Sequence, residues 1–157
     1  MKFYQTCRVC KAVNFNKSWH HGDHVKVADM KKSPFAWVTR CPACKMIETH
    51  NYEGKITITN IPTMTSRELL YLIKNYANQD YEKNCQHRLI EVVKHDLHTW
   101  VLTTTDSQMA SKLARRISQA FDHVDVKTSY IDGENPIVKK IVEFLPLFYH
   151  RFNFERS

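Results

Sequence analysis

The sequence predicts an α+β chain in two parts, and three observations carry that expectation. Two C-x-x-C pairs, Cys7-Arg8-Val9-Cys10 and Cys41-Pro42-Ala43-Cys44, stand thirty residues apart in a polar, basic segment. After residue 54 the pattern changes to apolar runs with strand and helix periods. Those runs follow the order β-α-β-β-α-β with one further strand, an order that an antiparallel sheet with both helices on one face satisfies.

The cysteines come first. A C-x-x-C on a tight turn brings two thiolates within reach of one cation, and two such turns complete a tetrahedral sulfur cage, which suits the borderline-soft, d-shell-filled Zn²⁺. Cys7, Cys10, Cys41 and Cys44 are therefore the expected ligands of one structural zinc in a zinc-ribbon or treble-clef-like module over residues 1–54. The alternatives are two disulfides or buried free thiols, for which so polar a segment offers little core. Four thiolates fill the coordination sphere and leave no position for water or substrate. The fifth cysteine, Cys85, reads as an inert leftover.

Between the pairs, Phe15 and Trp19 are interleaved with Lys17 and Lys26. Aromatic faces that stack on bases, next to cations that meet phosphates, suit single-stranded or looped RNA, although the same rings would equally fill the small core of a zinc module. His20, His21, Asp23 and His24 could suggest a second metal site or a nuclease centre. Gly22 interrupts the helix that would align His20 with His24, and one carboxylate is few for such a centre, so solvated histidines are expected. Residues 30–40 read as a basic loop leading into a short strand that delivers Cys41. Lys31, Lys32, Arg40 and Lys45 gather there as the expected phosphate-facing surface.

A linker at Asn51-Tyr52-Glu53-Gly54 opens the second part, residues 55–146. Lys55–Ile61 alternates as a half-buried strand and Pro62 ends it. Thr65 and Glu68 form a capping box for a helix with Leu69, Leu70, Leu72, Ile73, Tyr76 and Ala77 on its apolar face, fading near residues 78–80. Arg88–Lys94 and Thr99–Thr104 read as a hairpin. Asp106 or Ser107 caps the clearest helix, with Met109, Ala110, Leu113, Ala114, Ile117 and Phe121 on one side and Lys112, Arg115 and Arg116 on the other. Those three cations are a candidate anion patch, though a solvated helix face explains them too. Val124–Tyr130 is a strand, Asp132–Pro136 a turn, and Ile137–Leu145 a strand rather than a short helix because Ile and Val dominate it. The arrangement is ferredoxin-like, with an extra C-terminal strand. An aromatic tail, residues 147–157 with Phe152 and Phe154, has no evident core to join.

Net charge is +7, and residues 1–55 account for +6 of it with ten Lys/Arg against four acids. Such concentration points to a polyanionic partner more than to solubility alone. No run of eighteen apolar residues occurs, so no membrane span is expected, and the N-terminus lacks the apolar stretch of a signal peptide. Cysteines in metal-type spacing suit a reducing compartment, with the cytoplasm as the expected location.

The layout resembles one family. The paired Cys7/Cys10 and Cys41/Cys44, the run Leu102-Thr103-Thr104-Thr105 into Met109-Ala110-Ser111-Lys112-Leu113-Ala114-Arg115-Arg116-Ile117, and the later Val126–Tyr130 and Val142–Pro146 are similar to the nonsense-mediated-decay-three proteins. These are export adapters of the large ribosomal subunit with short bacterial relatives, and the resemblance runs from about residue 7 to residue 146. It implies a partner in the ribosome or in structured RNA. This chain has a single set of four cysteines and no long C-terminal extension, so nuclear export does not carry over.

Three functional readings follow. The first is a non-enzymatic, zinc-stabilised RNA-binding protein, ribosome- or rRNA-associated, with Lys31, Lys32, Arg40, Lys45, Lys17 and Lys26 on phosphates and Trp19 and Phe15 as stacking platforms. The second is a protein-interaction adapter that grips its partner through the zinc module and the aromatic tail. The third, a nuclease using His20, His21, His24 and Asp23, lacks a nucleophile–base pair and a phosphate-cradling glycine loop.

Overall fold

The structure is a computed structural model that describes residues 4–24, 36–134 and 136–146. The predicted Lys26, Lys31 and Lys32 and the aromatic tail with Phe152 and Phe154 lie outside the described residues. The architecture is mixed α+β, with two sheets and three α-helices among the described residues.

The first sheet is built from short strands: β1 (Tyr4–Cys7), β2 (Val13–Phe15), β3 (Ser18–His20) and β4 (Ala36–Thr39), in the order β3-β2-β1-β4. β1, β2 and β3 form an antiparallel meander, while β4 runs parallel to β1 with Tyr4 opposite Ala36 and Cys7 opposite Thr39. Asn16 and Lys17 make the β2–β3 turn with φ of 51° and 67°, the left-handed pair that a two-residue hairpin requires. A 3-10 turn over Gly22–His24 follows. It packs so close that a Cβ on Gly22 would lie 2.6 Å from the Lys11 carbonyl oxygen.

β4 leads through Arg40 into α1 (Pro42–Thr49), a helix that no apolar periodicity announces. Cys41 is its N-cap in extended conformation and Pro42 opens its first turn, where a missing N–H is harmless. His50, at φ 55°, closes it, and Asn51 N–H reaches back to the Met46 carbonyl at 3.0 Å.

The second sheet holds β5 (Gly54–Thr59), β6 (Leu89–Lys94), β7 (Trp100–Thr104), β8 (Val124–Ile131) and β9 (Ile137–Phe144), in the order β6-β7-β5-β9-β8. The helices α2 (Ser66–Lys83) and α3 (Ser107–Ala120) complete it. Element order matches the expectation, but strand order departs from the ferredoxin-like one, which would set β8 beside β5. Instead β9 lies there, parallel to β5 from Gly54↔Val138 to Thr59↔Glu143, and β8 is displaced to the edge. Composition accounts for the exchange. β9 sends Val142 and Phe144 into the core, whereas β8 offers half-buried Val124 and Val126 and otherwise exposes Asp125, Lys127 and Ser129. The strand that buries more apolar side chain takes the inner place, and the one that buries less takes the edge.

Ile56 and Ile58 of β5, Trp100 and Leu102 of β7, and Val142 of β9 meet Leu69 and Ile73 of α2 and Leu113 and Ile117 of α3 in one core. Asp106 caps α3, its carboxylate accepting the Met109 N–H at 2.9 Å. The capping box expected at Thr65 does not form. Pro62 starts a 3-10 turn over Thr63–Thr65, and the Thr65 hydroxyl is used inside it, donating to the Pro62 carbonyl at 2.9 Å. α2 also runs past residues 78–80 to Lys83, because Ala77 and Tyr81 continue its buried face.

Candidate metal centre

The four predicted cysteines converge from two elements. Cys7 ends β1, and the turn Cys7–Cys10 is closed by Lys11 N–H on the Cys7 carbonyl at 3.0 Å and by Cys7 N–H on the Ala12 carbonyl at 2.8 Å. Lys11 takes φ 65° to bring the chain back into β2. Arg8 N–H bonds the Thr39 carbonyl at 2.8 Å, which fastens this turn beside the approach to Cys41. The second pair sits on the first turn of α1, not on a second free turn as the spacing alone suggested. Cys41 Sγ accepts the Cys44 N–H at 3.4 Å, so one sulfur serves as helix cap and as donor.

All four Sγ atoms lie within 4.8 Å of one another, with Cys10 and Cys41 3.6 Å apart. Tetrahedral coordination at ordinary Zn–S lengths would set sulfurs about 3.8 Å apart. The cysteines are free thiols in the structure, so neither pair is a disulfide. Cys7, Cys41 and Cys44 are buried and Cys10 half-buried. Electrostatics fit a cation. Burial presses Cys7 toward its neutral form, but N–H groups of Cys10, Cys41 and Val9 turn toward its sulfur and hold its pKa down at about 6. Burial pushes Cys10 and Cys44 up, and the neighbouring sulfurs push them further. Crowded thiolates oppose one another's ionisation, and a divalent cation relieves that opposition. The donor set and its spacing thus fit a metal such as zinc.

Sequence reasoning missed how the centre is walled. Cys85, read as a leftover, is buried against the cluster together with Ala12 and Ala43, and Trp19 and Tyr81 pack on it. Gln86 Oε1 accepts the Ala43 N–H at 3.0 Å, and the Thr105 hydroxyl donates to the Gln86 carbonyl at 2.6 Å. His21 Nε2 bonds the Tyr81 carbonyl, with the two rings edge to face at 4.6 Å. No local periodicity marks residues 81–86 as wall material; the one available signal was an apolar-type residue, Cys85, in a polar run. Because its thiol is buried and pushed up by that burial, replacing Cys85 by serine is expected to leave metal content at the parent's level while lowering stability by about 2 kcal/mol, the scale of an ill-partnered buried hydroxyl. Metal content and thermal unfolding of the same sample check both halves.

The histidine cluster forms no metal site, although His21 and His24 meet edge to face with ring centroids 5.1 Å apart. His20 turns to the Ser18 hydroxyl at 2.8 Å and His21 to Tyr81, while His24 and Asp23 are exposed. Among the described residues the four cysteines are the one group placed to hold a metal.

Five of the predicted RNA contacts, Phe15, Lys17, Trp19, Arg40 and Lys45, lie among the described residues. Arg40 is ion-paired with Glu48, Lys45 is exposed on α1, and Lys17 is exposed in the β2–β3 turn. Trp19 packs against the cysteine cluster, and Phe15 stacks on Tyr4 with centroids 5.3 Å apart, so both rings serve the module's own packing. Trp37 of β4, 63% exposed, was overlooked. No helix is long and apolar enough to cross a membrane. No family model, curated protein or solved structure matches the chain.

Proposed function

We propose that this is a non-enzymatic RNA-binding protein whose N-terminal module is held by one structural Zn²⁺ on Cys7, Cys10, Cys41 and Cys44, with ribosomal RNA as its partner. The observation that carries the reading is the combination of a closed sulfur cage with a cation excess of +6 over residues 1–55. Four thiolates leave the metal no open position for chemistry, and a field of that sign selects phosphate backbones. Exposed Lys17 and Lys45 belong to the contact surface, and Arg40 joins it by exchanging Glu48 for phosphate. The choice of ribosomal RNA rests on the resemblance to the nonsense-mediated-decay-three proteins. In this reading the second part is a ferredoxin-like variant with an inserted strand.

The test is recovery of the protein with its native metal from lysate at low and high salt, scored for zinc and co-purifying rRNA. One zinc per chain is expected, with rRNA lost as salt rises. Neutralising about four phosphates gives a log–log slope near −3 on single strands. A salt-independent complex would sink this reading.

One observation favours a protein-interaction adapter instead. β4 is an edge strand in its sheet among the described residues, and its Trp37 and Val38 are 63% and 73% exposed, a form suited to strand addition by a partner chain. Salt-resistant capture of a protein lost on Trp37→Ala would establish it.

A further inference from the structure

A concentration of cations without ion-pair partners among the described residues lies between α2 and α3. A groove of about 300 Å³ there is lined by Lys83 of α2 and by Lys112, Arg115 and Arg116 of α3, with the amides of Gln79 and Gln119 between them. None of the four cations forms an ion pair among the described residues. The single acid lining it, Asp80, is engaged by His87 Nδ1 at 3.1 Å.

The groove continues. Tyr76, Gln79 and Arg116 also line a second hollow of about 390 Å³, whose other walls include Tyr71 and Phe121, with Glu68 and Asn75 at its rim. Tyr71 is 73% exposed, so its ring is available for stacking. One end is thus cationic and the other aromatic, joined through three shared side chains. A nucleotide has the same polarity, with phosphate at one end and a flat base at the other. Guanidinium forks meet phosphate oxygens, tyrosine faces stack on bases, and a carboxylate and an amide beside the rings can read a base edge. By contrast, the open face of the second sheet presents Thr57, Thr103, Lys139 and Ile141 and no stacking aromatic.

We propose that the α2–α3 groove binds one nucleotide of a single-stranded RNA, its phosphate held by Lys112, Arg115 and Arg116 and its base stacked on Tyr71. This deepens the RNA-binding reading and rests on it, adding a contact on the helices to that of the N-terminal module.

The experiment titrates the full-length, zinc-loaded protein with a short labelled oligouridylate, by fluorescence anisotropy at several salt concentrations. Arg115→Gln with Arg116→Gln is expected to make the log–log salt slope shallower by about 1.4, the share of two phosphates on a single strand. Tyr71→Ala is expected to weaken binding at least about fivefold with the slope unchanged, and Tyr71→Phe to retain affinity. The three substituted side chains are exposed, and unchanged thermal unfolding confirms that the fold is intact. If RNA binds but these variants match the parent while Lys17→Gln with Lys45→Gln loses affinity, the groove assignment falls and the RNA reading stands. If the parent binds no RNA, both fall. If an oligoglutamate competes as well as RNA of equal charge, the groove is a patch for any anion and the nucleotide assignment is overturned.

Discussion

Cys41→Ser is expected to abolish stoichiometric zinc binding and to unfold the N-terminal module while leaving the second sheet folded. Cys41 Sγ stands 3.6 Å from Cys10 Sγ and also accepts the Cys44 N–H, so it is both donor and cap for α1. A serine hydroxyl still caps the helix but does not ionise, so the variant separates the two roles. Residues that merely surround metal ligands change affinity by about 10–100-fold when replaced, and loss of a ligand should exceed that range. Metal binding by such small modules is folding free energy, so residues 4–24 and 36–50 should then exchange amide hydrogens as unprotected chain. Zinc analysis with hydrogen exchange checks the prediction. Retained stoichiometric zinc in Cys41→Ser would mean the cage has other donors. Chelation of the parent protein should reproduce the variant's exchange pattern.

Gly54→Ala is expected to cost about 3 kcal/mol, the upper end of overpacking, and to lower the melting temperature by about 10 °C. The Cβ would lie 2.3 Å from Thr104 Oγ1 and 2.5 Å from Ala110 Cβ, with the Asp106 carbonyl oxygen 3.0 Å away. Thr104 cannot swing aside freely, because its hydroxyl donates to that same carbonyl at 2.8 Å. Backbone dihedrals are not at issue, since no glycine has positive φ. The cost is steric: Gly54 lets the first turn of α3 settle onto the start of β5. Gly133→Ala, with nothing within 4 Å of its Cβ position, is the matched control and should be neutral. Differential scanning calorimetry on the pair decides the matter, and equal melting temperatures would refute the close approach.

Legibility tracked the range of the forces involved. The cysteine cluster was readable because the spacing C-x-x-C is itself a geometric constraint, local to four residues. α3 was readable because Met109, Leu113 and Ile117 repeat at helical intervals behind a capping aspartate. α1 was not, because its buried residues are Ala43 and Cys44, too small and too few to show a period. β4 was read as the short strand before Cys41, but β1, β2 and β3 escaped for a related reason, since three- and four-residue strands give alternation almost no length in which to appear. For β9, the abundance of Ile and Val told that a strand forms but not its buried face, which Val142 and Phe144 make while Ile141 stays exposed, nor which neighbour the strand takes. The wall of the metal centre was invisible because Tyr81, Cys85 and Gln86 owe their roles to partners far away in sequence.

That last arrangement bears on the order in which the chain can assemble. Gln86 meets Ala43 across 43 residues and His21 meets Tyr81 across 60, so the cluster's outer wall joins segments made at very different moments of synthesis. All four thiols are present once residue 44 has emerged, yet the side that Cys85 closes must wait for α2 to be made and to dock. The nascent module therefore passes through an interval in which its sulfurs are complete in number but open to solvent.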